Sequence, residues 1–168
     1  FSDRLFPGIS TIQTRAKYFT LTALLIADYE RLPEAKKASQ TLEDFLGHWE
    51  KWCRIQLVRK YGELGGGLGI IGFLFGVLSH VDVQRRPSSV YWTGLRTFGL
   101  VRTHLSLAEL GRQLSGGQPL KAILEETPRL AGDDPDADIE SGPRIRVPEI
   151  DSEYWRDLAI TLTVPEAE

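Results

Sequence analysis

Two long segments with apolar residues at helical spacing constrain the fold of this 168-residue chain more than any other feature. The first runs from Ser10 to Leu32, with Ser10 placed to cap the first turn and Pro33 placed to end the helix. The second runs from Thr41 to Tyr61, and Thr41 has the spacing of a capping box with the acid three residues later. These segments predict a mainly α fold, a helical bundle.

The first helical segment presents one apolar stripe with two cations beside it. The stripe consists of Ile12, Ala16, Phe19, Ala23, Ile26 and Tyr29. Arg15 and Lys17 lie off this stripe, near the start of the helix. We expect Arg15 to tie the helix to an acid or a carbonyl elsewhere in the fold. A phosphate contact by Arg15 or Lys17 is the alternative, because the start of a helix suits anions.

Residues 84–114 contain two shorter helical patterns. Val90 to Phe98 is the first, with Ser88 as its cap, and a capping box of Ser106 and Glu109 opens the second. Two short helices joined by a turn with Gly match a helix-turn-helix or winged-helix-like element. Cations lie on or around this pair, so we predict nucleic-acid contacts by Arg85, Arg86, Arg96 and Arg102, with Arg112 nearby. The alternative is an ordinary helical hairpin with its aromatic residues in the core.

Charge is unevenly distributed along the chain. Residues 1–113 carry a net charge of +5 and residues 114–168 a net charge of -8. A basic body with an acidic tail suits an anionic partner such as DNA, although charge runs also serve solubility alone. We therefore divide the chain into a helical body (1–127), an acidic linker (128–148) that follows a predicted helix over Pro119–Glu126, and the start of a second domain (149–168).

The predicted second domain begins with a strand and a helix. Leu158 to Thr163 alternates as a short strand does, and Thr163 and Glu166 have capping-box spacing. Because the chain starts at Phe1 without Met and ends as this helix begins, we interpret it as an internal piece of a longer protein.

No segment carries a recognisable active site. Gly67 to Gly72 fits the dinucleotide fingerprint G-x-G-x-x-G, but a helix precedes it and no acidic ribose ligand follows. We therefore predict a turn, followed by a buried helix in which Gly69, Gly72 and Gly76 allow close packing. The histidines are scattered, which predicts no metal site and no cofactor. The candidate acid/base carboxylates fit exposed helix surface: Asp28, Glu30, Glu43, Asp44 and Glu50. Whether the whole protein is an enzyme stays open.

The cell compartment follows from the apolar runs and the single cysteine. Neither run, Tyr18–Ala27 or Leu68–Val81, reaches the ~20 residues that span a bilayer, and the start of the chain does not have the pattern of a signal peptide. Cys53 fits a reduced, buried thiol. We expect a cytoplasmic protein without membrane contact.

Two segments resemble motifs of one bacterial family, a domain of unknown function. Leu5 to Phe19 (LFPGISTIQTRAKYF) resembles its LFPGxSTIQTRxRYF opening, and Pro87 to Leu100 resembles its PSSxYWxGLxxWGI motif. The Gly-Ile-Ile-Gly element at Gly69 to Gly72 precedes the second motif, as it does in that family. Members are often found near helicases and other genes of phage-defence or DNA-modification islands, so the resemblance implies a role in handling DNA.

Three functions are therefore open. The first is a non-enzymatic DNA-binding or complex-forming component of a phage-defence or DNA-modification system, working with a helicase or nuclease encoded nearby. The second is a scaffold that binds a partner protein without DNA contact. The third is a nuclease-type enzyme whose active site lies outside this segment.

Overall fold

The computed structural model describes residues 13–62, 64, 68–78, 80–115, 145–151 and 153–167, and this part of the chain is mainly helical, without a β-sheet. The helices in these ranges are α1 (Lys17–Glu30), α2 (Glu34–Ser39), α3 (Leu42–Tyr61), α4 (Pro87–Thr97), α5 (Leu107–Ser115) and α6 (Val164–Ala167). The mainly α prediction is thereby confirmed.

Helix α1 begins later than the sequence predicts. Its first residue is Lys17, and Ser10, the predicted cap, lies outside the described residues. Residues 13–16 are non-helical because their polar groups bond to distant parts of the chain. The backbone N–H of Arg15, for example, donates to the Tyr91 hydroxyl over 2.9 Å. Tertiary hydrogen bonds therefore take the place of helix over residues 13–16.

Helix α3 matches its prediction closely. It runs from Leu42 to Tyr61, and the backbone N–H of Asp44 donates to the Thr41 hydroxyl over 3.1 Å, as the capping box requires. Gly62 follows with a positive φ of 47° and ends the helix. The sequence predicts both ends of α3 correctly because the residues that begin and end this helix lie within a few positions of each end.

One hydrophobic cluster joins the helices. Helix α1 packs against α3 and α4, and α5 packs against α2, α3 and α4. Tyr91 of α4 is fully buried and contacts two aromatic rings of α1, with ring centroids 5.5 Å away at Tyr18 and 4.8 Å away at Phe19. Cys53 of α3 is a buried free thiol, as the sequence predicts.

The glycine-rich segment after α3 forms turns, and the expectation of a buried helix there is wrong. Within residues 68–78 its regular part is a 3₁₀ turn, Phe73–Phe75, and Leu74 within it is 95% exposed. Gly72 precedes this turn with a positive φ of 76°, and a Cβ there would collide with the Val83 side chain. The segment folds back over α3 instead of continuing as a helix.

Helices α4 and α5 do not have the spacing of a helix-turn-helix, and neither that element nor a winged helix is confirmed. The connection is Phe98–Ser106, nine residues, whereas a helix-turn-helix uses a turn of about three or four. The connection is held to α4 by Trp92, whose indole Nε1–H donates to the Leu105 carbonyl over 3.2 Å. The capping box of Ser106 and Glu109 at the start of α5 is confirmed.

Residues 145–151 and 153–167 pack onto the helices without forming the predicted strand. Leu158 and Ile160 are buried in the same cluster as α1 and α3, but the segment is irregular, and the Ile160 N–H donates to the Tyr61 hydroxyl over 3.1 Å. An isolated antiparallel bridge joins Val101 to Ile145. The predicted helix over 119–126 and most of the acidic linker lie outside the described residues, and the division into domains stays a prediction.

Candidate functional site

A groove of about 860 Å³ lies between the start of α3, the segment that leads into α4, and α5. Its apolar lining consists of Leu42, Leu46, Val83, Leu107, Ala108 and Gly111. Its polar lining consists of Thr41, Glu43, Gln84, Arg86, Ser88, Ser89, Arg112 and Ser115. A concave site with an apolar floor and a few polar groups is the usual form of a binding site.

Two arginines reach the groove from different elements. Arg86 lies across α3, where its Nη1–H donates to the Glu43 carbonyl over 3.3 Å. This position requires Gly47, since a Cβ there would lie 2.8 Å from Nη1 of Arg86. Arg112 is exposed on α5. Glu43 is the one carboxylate among the described lining residues, so the groove is electropositive at neutral pH.

The six predicted nucleic-acid contacts do not share one site. Arg86 lines the groove, whereas Arg85 and Arg96 are exposed outside its lining, and Arg102 is half-buried in the connection between α4 and α5. Arg15 is half-buried, and its Nε–H donates to the Leu68 carbonyl. The prediction that Arg15 ties the start of α1 to a carbonyl is confirmed.

Lys17 is buried, and the prediction that it lies off the apolar face of α1 is wrong. Its side chain is 1% exposed, and its Nζ lies 2.6 Å from Oε2 of Glu166 in α6 and 4.6 Å from the centre of the Tyr154 ring. Burial lowers the pKa of Lys17, and its contacts with Glu166 oppose this. An ammonium in this position is not accessible to a phosphate.

The Glu166 carboxylate accepts hydrogen bonds from several elements. Besides Lys17 it accepts the Thr20 and Tyr154 hydroxyls at Oε1, over 2.8 and 2.7 Å, and the Thr163 N–H at Oε2 over 2.8 Å. The last of these is one of the two hydrogen bonds of the predicted capping box; the Glu166 N–H donates to the Thr163 carbonyl instead of its hydroxyl. Burial acts to raise the pKa of Glu166, but these hydrogen bonds outweigh it and hold the pKa below its usual range. The cluster fixes the C-terminal helix to α1.

A second buried carboxyl, Glu50 of α3, lies behind the groove wall. It is 4% exposed, so its assignment to exposed helix surface is wrong. Its Oε1 accepts the backbone N–H of Ser88 in the first turn of α4, so a side chain of α3 caps α4 in place of the predicted Ser88 cap. Oε2 has no hydrogen-bond partner among the described residues. Burial raises the pKa of Glu50 to about 7, against the lowering effect of the Ser88 hydrogen bonds and of Arg86.

A spacing signal for this burial is present in the sequence. Leu46, Glu50, Cys53 and Leu57 follow one another at four- and three-residue steps, which places Glu50 on the apolar face of α3. Arg54, one turn beyond Glu50, is also buried and donates from Nη2 to the Leu78 carbonyl over 2.7 Å. The two charged residues fasten α4 and the glycine-rich segment to α3.

Metal ligands and membrane-crossing helices are not found in the described ranges. No three His, Cys, Asp or Glu side chains there are close enough together to hold a metal ion. None of the helices in the same ranges is both long and apolar enough to cross a bilayer.

These features define a mainly helical chain with an arginine-lined groove, in which buried charges connect the helices. The model of a family of unknown function, DUF6361, matches residues 1–118, and the chain belongs to this family. Neither a curated protein nor a solved structure matches the chain.

Proposed function

We propose that this chain is a non-enzymatic, DNA-binding or complex-forming component of a bacterial phage-defence or DNA-modification system, acting in the cytoplasm. The observation that carries the DNA-binding part is a set of exposed arginines that form no close ion pair with the described residues. Among the described residues, no carboxylate oxygen lies within 4 Å of Arg85, Arg96 or Arg112. Guanidinium groups of this kind suit the phosphates of a nucleic-acid backbone.

The set of proposed contact residues is smaller than the set predicted from the sequence. We retain Arg85, Arg86, Arg96 and Arg102 as phosphate contacts and remove Lys17 and Arg15, which are engaged in the fold. Arg85 and Arg96 are the exposed cations of this set and carry the prediction, whereas Arg86 and Arg102 are half-buried. Phosphate contacts of this kind do not require a helix-turn-helix. If α4 and α5 bind DNA as a helix-turn-helix does, α5 enters the major groove and its exposed Arg112 lies near the bases.

A salt titration tests the proposal. The affinity for a short fluorescent duplex is measured by anisotropy at increasing salt, for the wild type and for the double variant R85Q/R96Q. Each phosphate contact contributes about 0.9 to the slope of log affinity against log salt, so the double variant is expected to lower this slope by about 1.8.

The matched control is R31Q. It removes an exposed arginine that follows α1 and pairs with Asp28. The control is expected to leave the slope unchanged. Absence of binding at low salt, or an equal loss in R31Q, contradicts specific contact by Arg85 and Arg96.

The defence context is supported by the neighbouring genes that the family resemblance implies. It predicts that a helicase or nuclease encoded beside this protein co-purifies with it. The groove separately supports complex formation, because a DNA backbone would not cover its apolar floor.

A further inference from the structure

The floor of the groove presents apolar side chains that phosphate binding does not need. Its accessible apolar surface comes from Ala108, which is exposed, and from Val83 and Leu107, which are half-buried. Leu42 and Leu46 also line the groove but are only 1% and 2% exposed. None of the described lining residues is aromatic, so the groove lacks the rings on which single-stranded nucleic acids stack their bases. This floor suits the apolar side chains of a protein.

The shape of the groove suits a helix. It is bounded by the first turns of α3 and by the whole of α5, two helices that contact each other. The nine residues of α5 give a wall about 13 Å long. A partner helix of two to three turns would therefore match it in length. An amphipathic helix in a groove between helices is a common mode of peptide recognition.

The charges around the floor favour a partner with negative charge. Arg86 and Arg112 line the groove from α4's leading segment and from α5, and Glu43 is the one acid among the described lining residues. Arg86 is held in place by the Glu43 carbonyl and by its packing over Gly47, so it needs little ordering on binding. Carboxylates on a ligand would be complementary to these two guanidinium groups.

We propose that this groove binds an acidic amphipathic helix of a partner protein. Apolar residues at positions i, i+3 or i+4, and i+7 of that helix contact the floor, and Asp or Glu on its flanks pair with Arg86 and Arg112. Arg86 is shared with the proposed phosphate contacts, but the peptide proposal can be tested separately from DNA binding, because Arg85 and Arg96 lie outside the groove lining.

The test uses two labelled helical peptides and the full chain. Both peptides carry leucines at helical spacing on one face; one has glutamates along both flanks and the other has lysines at the same positions. Fluorescence anisotropy is expected to give at least about tenfold tighter binding of the glutamate peptide.

Two variants locate the peptide in the groove. A108W introduces a large ring from an exposed position on the groove wall and is expected to abolish binding of both peptides. R112E reverses one charge and is expected to shift the preference towards the lysine peptide. The matched control is R59E, an exposed arginine on α3 roughly 24 Å along the helix from Glu43, which is expected to leave both affinities unchanged. Circular dichroism and thermal unfolding check that each variant is folded.

Several results would overturn the proposal. Equal affinity for the two peptides removes the role of the arginines, and unchanged binding in A108W places the peptide elsewhere. Displacement of the peptide by a single-stranded oligonucleotide from wild type assigns the groove to nucleic acid. A concentration-dependent dimer that A108W dissociates, measured by sedimentation, assigns it to a second copy of the chain.

Discussion

Replacing Glu50 by Gln should remove most of the pH dependence of stability between pH 5 and pH 8. The Glu50 carboxyl is buried between α3 and α4, where burial raises its pKa to about 7. Other ionisable groups close to it are Arg86 and Cys53, with Tyr18 and Arg54 lining the same small cavity. Gln keeps an oxygen that can accept the N–H of Ser88 and has no proton to lose.

The size of the effect follows from linkage. The pKa of Glu50 rises from 4.5 in the unfolded chain to about 7 in the folded one, and one pKa unit corresponds to about 1.4 kcal/mol. Between these values the folded state holds a proton that the unfolded state has lost. The free energy of unfolding therefore falls as pH rises, by about 3 kcal/mol in total, and most of the fall lies between pH 5 and pH 8.

Urea unfolding at pH 5, 6, 7 and 8 measures this free energy for the wild type and for E50Q. The wild type is expected to lose stability across the series relative to E50Q. The variant E43Q controls for loss of a negative charge, because Glu43 is an exposed carboxyl on the same helix. Parallel profiles for the wild type and E50Q would show that Glu50 ionises normally in the folded protein and would refute the argument.

Two further substitutions test buried contacts by chemical unfolding. K17M leaves the buried Glu166 carboxylate without its cation and is expected to cost about 3 to 5 kcal/mol. R156M, which breaks a pair with Glu153 that is exposed on both sides, should cost less than about 1 kcal/mol, and equal losses would contradict the buried pair. G72A should destabilise by more than about 1 kcal/mol beyond G62A, because both glycines have positive φ but only Gly72 lacks space for a Cβ; similar losses would contradict that close approach.

Local signals in the sequence predict the helices well. The capping box at Ser106 forms with both of its hydrogen bonds, and those at Thr41 and Thr163 form with one each, because each depends on residues three positions apart. The apolar spacing of α3 likewise predicts its buried face, including Cys53. These features are set within one or two turns of helix, so the rest of the fold does not have to be known.

The features that the sequence did not predict depend on contacts between distant residues. Lys17 is buried because Glu166, far along the chain, supplies its counter-charge, and no spacing pattern links the two. Leu158 and Ile160 are buried as the predicted strand requires, but Leu162 is exposed, and the segment has no neighbouring strand to pair with in the described ranges. The groove was also not predicted as a site, because its walls come from three separate elements.

The Lys17 and Glu166 pair bears on where the folding unit of this protein ends. The contact joins residues 149 positions apart, so it closes a long loop and is expected to form late in folding. The family match ends at residue 118, and a chain cut there would keep the lysine and lose the carboxylate. Such a chain would also lose the Tyr154 ring that lies against the ammonium, so Lys17 would become accessible to water. The segment that the family model covers is therefore smaller than the segment that buries Lys17.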